Sequence, residues 1–217
     1  MTRPARTRVK ICGVRDVETA RVCAAHGVDA VGLVFAQVSP RLVTPETAHG
    51  IVRALPPFVV SVGLFVDATA DEIVRVCERV GLGMVQLHGS ESPEDCQRVR
   101  ERTGLPVLKA VRFDHSTIGA TIEAYRGVCV GLLVDGSVGG MGETFDWSAL
   151  ATHASSPAVP ILVAGGLTHE NVGACITMVR PYAVDVSSGV ESSRGVKAPA
   201  LIGSFLAQVR RADGGAS

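Results

Sequence analysis

Eight short β-rich runs recur along the 217 residues at nearly even spacing, and this rhythm leaves few folds open to the chain. They begin at Val9 (VKICG), Ala30 (AVGLVF), Val59 (VVSVGLFV), Met84 (MVQLHG), Leu105 (LPVLKAVRF), Gly131 (GLLVDG), Pro160 (PILVAGG) and Tyr182 (YAVDVSSG). Successive starts lie 21 to 29 residues apart. Each interval holds a strand, a turn and about three turns of helix, which is one βα unit. Right-handed crossovers between such units make the strands parallel. Eight units in about 200 residues predict an α/β fold, a single (βα)8 TIM barrel. The alternative is a doubly wound open sheet, whose first βα turn often carries GxGxxG. Here that turn reads CGVRDV.

The segments between the runs read as helices. Thr69 and Gly81 bound TADEIVRVCERVG as cap and stop, and Ser92 with Pro93 opens SPEDCQRVRERTG. THENVGACITMVRP is expected to start near Thr168 and to end before Pro181. HSTIGATIEAYRG carries β-branched residues and a glycine, so a short or irregular helix is expected. No Pro/Ser-rich linker divides the chain. One barrel domain is expected over 9–211, after a flexible basic arm at 1–8 and before a flexible tail at 212–217.

Composition narrows the function classes. Lys plus Arg equals Asp plus Glu, 21 against 21, which argues against nucleic acid as a partner. No run approaches the roughly 18 apolar residues of a membrane span, and MTRPARTR has no apolar core behind it, so a cytoplasmic protein is expected. The 6 cysteines form no CxxC or Cys/His cluster, so no metal site is expected. Cys23, Cys77, Cys96 and Cys175 fall in helical segments and read as small core residues.

Cys12 differs, because it ends the first strand beside Gly13. Side chains alternate along a strand, so Val9 and Ile11 face one layer while Lys10 and Cys12 face the other. Other polar and glycine residues collect at the same strand ends: His88-Gly89, Asp135-Gly136, Gly165-Gly166 and Ser187-Ser188-Gly189. A barrel brings all of these to one mouth. A lone strand-end Asp more often caps a turn, and a lone strand Cys is more often inert. Together, a thiol and a carboxyl across one mouth suit general base and general acid catalysis. Gly165-Gly166 and Ser187 to Gly189 follow strands seven and eight, where barrels frequently bind phosphate through backbone N–H groups. Arg41, in the loop after strand two, suits a two-bonded clamp on a carboxylate. Lys10 lies roughly 6.6 Å below Cys12 on the inner face. It cannot stay buried unpaired, and Asp185 on strand eight is its expected partner.

The chain resembles the phosphoribosylanthranilate isomerases. KICGVRD, VGLVF, SPR, VGLFVD, VQLHG, LLVD, GETFDW, AGGL with ENV, and VDVSSGVE stand in that family's order from about Val9 to Phe205. The resemblance implies a cofactor-free Amadori rearrangement in tryptophan biosynthesis, which converts N-(5-phosphoribosyl)anthranilate to 1-(2-carboxyphenylamino)-1-deoxyribulose 5-phosphate. It implies Cys12 as general base, Asp135 as general acid and Arg41 on the anthranilate carboxylate. Gly165, Gly166, Ser187, Ser188 and Gly189 are implied at the phosphate, and Asp185 is counted with the substrate-binding residues. The expected partner is a small phosphorylated substrate, with no membrane, and the protein is expected to be a monomer or homodimer. Met141, Glu143, Leu42 and Ala198 depart from the family pattern, which bears on efficiency and substrate scope. The loop GGMGETFDW is expected to close over substrate, with Phe145 and Trp147 anchoring its far end. The competing readings are a histidine-pathway or dual-substrate sugar-phosphate isomerase, and a non-catalytic phosphosugar-binding barrel.

Overall fold

A computed structural model describes residues 6–136, 145–154 and 159–214. The strands are β1 (Arg8–Cys12), β2 (Ala30–Val34), β3 (Val60–Phe65), β4 (Met84–Leu87), β5 (Val107–Arg112), β6 (Gly131–Asp135), β7 (Ile161–Ala164) and β8 (Ala183–Val186). They form a closed parallel barrel in sequence order. β8 pairs with β1 through Lys10↔Asp185, so the sheet has no free edge. The helices that alternate with these strands are α1 (Val17–His26), α2 (Pro45–Ala54), α3 (Ala70–Val80), α4 (Pro93–Thr103), α5 (Ile118–Ala124), α6 (Trp147–Ala154) and α7 (Val172–Val179). A short hairpin, β9 (Glu191–Ser193) with β10 (Val196–Lys197), precedes α8 (Pro199–Gly214). The chain is therefore a (βα)8 TIM barrel, and the hairpin is an addition that strand periodicity did not announce.

Local chemistry explains most boundaries. Thr69 and Ser92 each make a capping box, with Glu72 and Asp95 reaching back to the cap. Gly81 and Gly104 end α3 and α4 in the left-handed region. α5 is indeed short, at 7 residues, and Thr117 gives it no side-chain cap. α7 starts at Val172, later than the expected Thr168. Asn171 accounts for the delay: its Oδ1 accepts from the Thr168 N–H at 2.8 Å, and its Nδ2 donates to the Gly166 carbonyl at 2.8 Å. These bonds hold residues 168–171 as a turn.

Both expected domain limits fall inside ordered structure. Thr7 is buried and Arg8 opens β1, so the arm cannot extend to residue 8. At the other end α8 continues to Gly214. The Asp213 carboxylate accepts from the Thr7 N–H at 2.8 Å and the Thr7 hydroxyl at 2.7 Å, tying the two chain ends together.

Alternation sorts the strand side chains into two layers. Val9, Ile11, Val31, Leu33, Val85, Leu132, Val163 and Val184 face the helices. Val62, Leu108, Ala110, Leu133 and Leu162 fill the barrel's interior, below Cys12, Val34 and Leu64. A second ion pair lies beneath the helices. Lys109 donates to the Glu91 carboxylate at 3.0 Å and to the Gly89 carbonyl at 2.7 Å. Glu91 also accepts from the N–H groups of Asp67 at 2.9 Å and Gly89 at 2.8 Å. This network fixes the turn after β4 and so the residue just before it, His88. Lys109→Met would leave Glu91 charged and buried without its cation. The expected loss is about 3–5 kcal/mol of stability, read from the midpoint of urea unfolding.

Candidate active site

Cys12, Arg41, Asp135, Gly165, Gly166, Asp185, Ser187 and Ser188 line one cavity of about 540 Å³ at the C-terminal mouth of the barrel. These eight are all the sequence-derived site residues except Gly189. His88, Arg112 and Arg194 line it too. Parallel closure explains the convergence, because every strand delivers its C-terminal residue to the same rim.

At the floor, Lys10 Nζ donates to Asp185 Oδ1 at 2.9 Å, with both side chains buried. This is the expected pairing. Burial pulls the Lys10 ammonium downward, but the Asp185 carboxylate outweighs it, and its pKa is raised. Cys12 is buried, and burial pushes its thiol up from the ordinary value. The Lys10 ammonium opposes that shift without overcoming it. A cation beside a thiol ordinarily favours its thiolate. In the structure the Lys10 charge is shared with Asp185, so desolvation wins.

This direction has a measurable consequence. Only the thiolate is alkylated, and below the pKa its fraction grows about tenfold per pH unit. Cys12 alkylation by iodoacetamide, followed by peptide mass spectrometry, should therefore still be climbing at about pH 9. A plateau below about pH 8 would place the thiol pKa on the other side of its ordinary value.

Asp135 ends β6 with its carboxylate facing the cavity. His88 Nε2 stands 3.6 Å from Asp135 Oδ2, a Coulombic contact too long for a hydrogen bond. Gln86 Nε2 lies 3.2 Å from His88 Nδ1 and sets the ring's orientation. The sequence placed His88 at a strand end but offered no signal for its contact with Asp135. That contact depends on β4 and β6 flanking β5 in the closed sheet.

Arg41 does make a two-bonded clamp on a carboxylate, but the carboxylate belongs to the protein. Its Nε donates to Glu191 Oε1 at 2.7 Å and one Nη donates to Oε2 at 2.9 Å. Lys197 Nζ donates to the same Oε1 at 2.8 Å, and also to the Ser187 carbonyl at 2.9 Å. Burial pushes Glu191 up, but the Arg41 and Lys197 bonds overcome it and hold its pKa at about 2. Gly13, with φ 79°, lies under the Arg41 stem, where a Cβ would collide with Arg41 Cδ. Glu191 and Lys197 were missed as site residues. Glu191 stands in the quoted VDVSSGVE motif, yet a lone Glu between Val190 and Ser192 has no distinguishing pattern.

Gly165 and Gly166 both take positive φ, 89° and 63°, which turns the chain after β7 across the mouth. Asn171 holds the Gly166 carbonyl, as described above. Ser187 Oγ donates to the Cys12 carbonyl at 3.0 Å, joining the loop after β8 to β1. Gly189 does not line the cavity; it packs against the Leu167 carbonyl so closely that a Cβ would overlap it. Close approach of the two loops requires glycine there.

Phe145 stacks on Phe113 with ring centroids 4.5 Å apart, and Trp147 packs against the outer core. Those are the anchors expected for GGMGETFDW. The rest of that loop, with Met141 and Glu143, lies outside the described residues. Among the described residues no group of three His, Cys, Asp or Glu side chains is placed to hold a metal ion. None of their helices is long and apolar enough to cross a membrane.

Comparison with known proteins agrees with this geometry. Residues 9–208 match the family model described as N-(5'phosphoribosyl)anthranilate (PRA) isomerase. The N-(5'-phosphoribosyl)anthranilate isomerase of Pseudomonas fluorescens Pf-5 is 46% identical over 210 residues, covering 95% of this chain and 97% of that protein. The crystal structure of phosphoribosyl anthranilate isomerase from Thermotoga maritima superposes with a TM-score of 0.87 at 40% identity, covering 94% of this chain and 99% of that one. Another solved isomerase, in complex with reduced 1-(o-carboxyphenylamino)-1-deoxyribulose 5-phosphate, gives a TM-score of 0.85 at 39% identity over 94% of this chain and 99% of that one. The chain belongs to the phosphoribosylanthranilate isomerase family, the aldose–ketose isomerases of tryptophan biosynthesis.

Proposed function

We propose that the chain catalyses the Amadori rearrangement of N-(5-phosphoribosyl)anthranilate with Cys12 as general base and Asp135 as general acid. The observation that carries this reading is the single cavity. It holds a thiol, a carboxyl, an arginine and two glycine- and serine-rich loops within reach of one small ligand. The protonated Asp135 carboxyl donates to the ribose ring oxygen as the C1–O bond breaks, and the anilino nitrogen supplies the electrons, leaving a C1 iminium. The Cys12 thiolate then removes the C2 proton, and the C2–H electrons neutralise the iminium to an enolamine. Tautomerisation gives the C2 ketone. One proton returns from the thiol to the carboxylate through solvent, restoring both groups. The iminium cation, formed beside the thiol, favours the thiolate at the step that needs it and so offsets the upward shift from burial. Arg41 takes the ring carboxylate, Gly165, Gly166, Ser187 and Ser188 bound the phosphate subsite, Gly189 lets the two phosphate loops approach, and Asp185 holds Lys10 beneath the substrate.

Turnover of N-(5-phosphoribosyl)anthranilate, with the histidine-pathway aminoaldose phosphate assayed alongside, tests the reading. Turnover of the first substrate is expected. Affinity without product would make the protein a binding barrel. In a crystal soaked with inorganic phosphate, the anion is expected within hydrogen-bond distance of N–H groups near Gly166 and Gly189. An anion held only by Arg41, with both loops empty, would overturn the phosphate assignment.

A further inference from the structure

We infer that Glu191 is a positioning residue for substrate selection, orienting the Arg41 guanidinium toward the substrate's ring carboxylate. The inference rests on the assignment of Arg41 to that carboxylate. An arginine at a loop tip has several rotamers, and a flexible cation recognises a carboxylate weakly because binding must first order it. Here the ordering is built in. Two of the Arg41 donor positions, Nε and one Nη, are taken by Glu191 at 2.7 and 2.9 Å. The Nη1 side is left for a ligand, and Arg41 lines the cavity.

Glu191 is itself held by groups other than Arg41. Lys197 Nζ donates to Oε1 at 2.8 Å and the Gly195 N–H to Oε2 at 3.0 Å. The Glu191 side chain is only 4% exposed. The hairpin β9–β10 therefore sets the carboxylate, and the carboxylate sets the arginine. Gly13 leaves room for the arginine stem on the opposite side. Arg41 and Glu191 stand 150 positions apart in the chain, so the loop after β2 and the loop after β8 must both be in place before the arginine is aimed.

The test compares two ligands by calorimetry: reduced 1-(o-carboxyphenylamino)-1-deoxyribulose 5-phosphate, and the same compound lacking the ring carboxylate. The wild-type protein should prefer the carboxylate-bearing ligand at least about tenfold, the usual scale of a charge-assisted hydrogen bond. In Glu191→Gln the preference should fall to about threefold or less, while the carboxylate-free ligand keeps its wild-type affinity. Glu191→Asp retains the charge beside Lys197 but shortens the reach, so it serves if the Gln variant fails to fold; it too should lose most of the preference. An intact preference in either variant overturns the inference, as does equal weakening of both ligands, which is the signature of a purely structural role. A wild-type protein that shows no preference overturns it as well. Turnover is measured separately. Its absence would end the isomerase reading, while the ligand comparison would still decide what Glu191 does.

Discussion

Cys12→Ser is expected to keep the barrel and its affinity for product, and to lose activity by about 10²- to 10⁴-fold, the usual contribution of a positioned base. A hydroxyl is nearly isosteric with the thiol, so the packing of Cys12 against Val34 and Leu64 should survive. What it lacks is an accessible anion: its proton leaves far less readily than a thiol's, and burial makes the difference larger. The Lys10–Asp185 pair below remains whole, so no buried charge is stranded. Steady-state kinetics and a binding titration on the same purified variant decide the matter. Near-wild-type kcat would remove Cys12 from the chemistry.

The second large effect is expected at Asp135. Asp135→Asn preserves shape but removes the transferable proton, so kcat should collapse by about 10²-fold or more while KM changes little. The interaction lost belongs mainly to the transition state, where the ring oxygen takes the proton. His88, 3.6 Å away, is positioned to sense the carboxylate's charge, but it follows β4 and does not occupy the acid's place at the end of β6. A variant whose only defect is a raised KM would make Asp135 a binding residue instead.

The fold was legible because its determinants are local. Alternation in VKICG sent Val9 and Ile11 outward and Lys10 and Cys12 inward, and the structure has them so. Thr69 and Ser92 announced helix starts through side chains bonded three residues away, and Pro93 through its place at the first helical position. Eight such units of similar length favour a barrel, and its closure is why Lys10 could be matched to Asp185 across 175 positions. Where a local signal misled, a side chain bonded to the loop had intervened. The start of α7 moved because Asn171 spends its amide on Thr168 and Gly166.

The candidate site divides along the same line. From the order of its strand ends, the chain alone determined that Cys12, Asp135 and the loops after β7 and β8 would share one mouth, because closure of the sheet leaves them nowhere else to go. The tertiary structure decided which charge faces which. Arg41 reads as a clamp for a ligand, yet Glu191 grips it. Lys109 reads as a strand residue, yet it anchors Glu91 and the turn beside His88. Lys10 and Cys12 read as neighbours on one inner face, yet desolvation of the thiol outweighs a cation whose charge Asp185 already shares. Periodicity depends on neighbours a few positions away and is written along the chain. Ion pairing and desolvation depend on distances between side chains far apart in sequence, and those distances exist only once the barrel has closed.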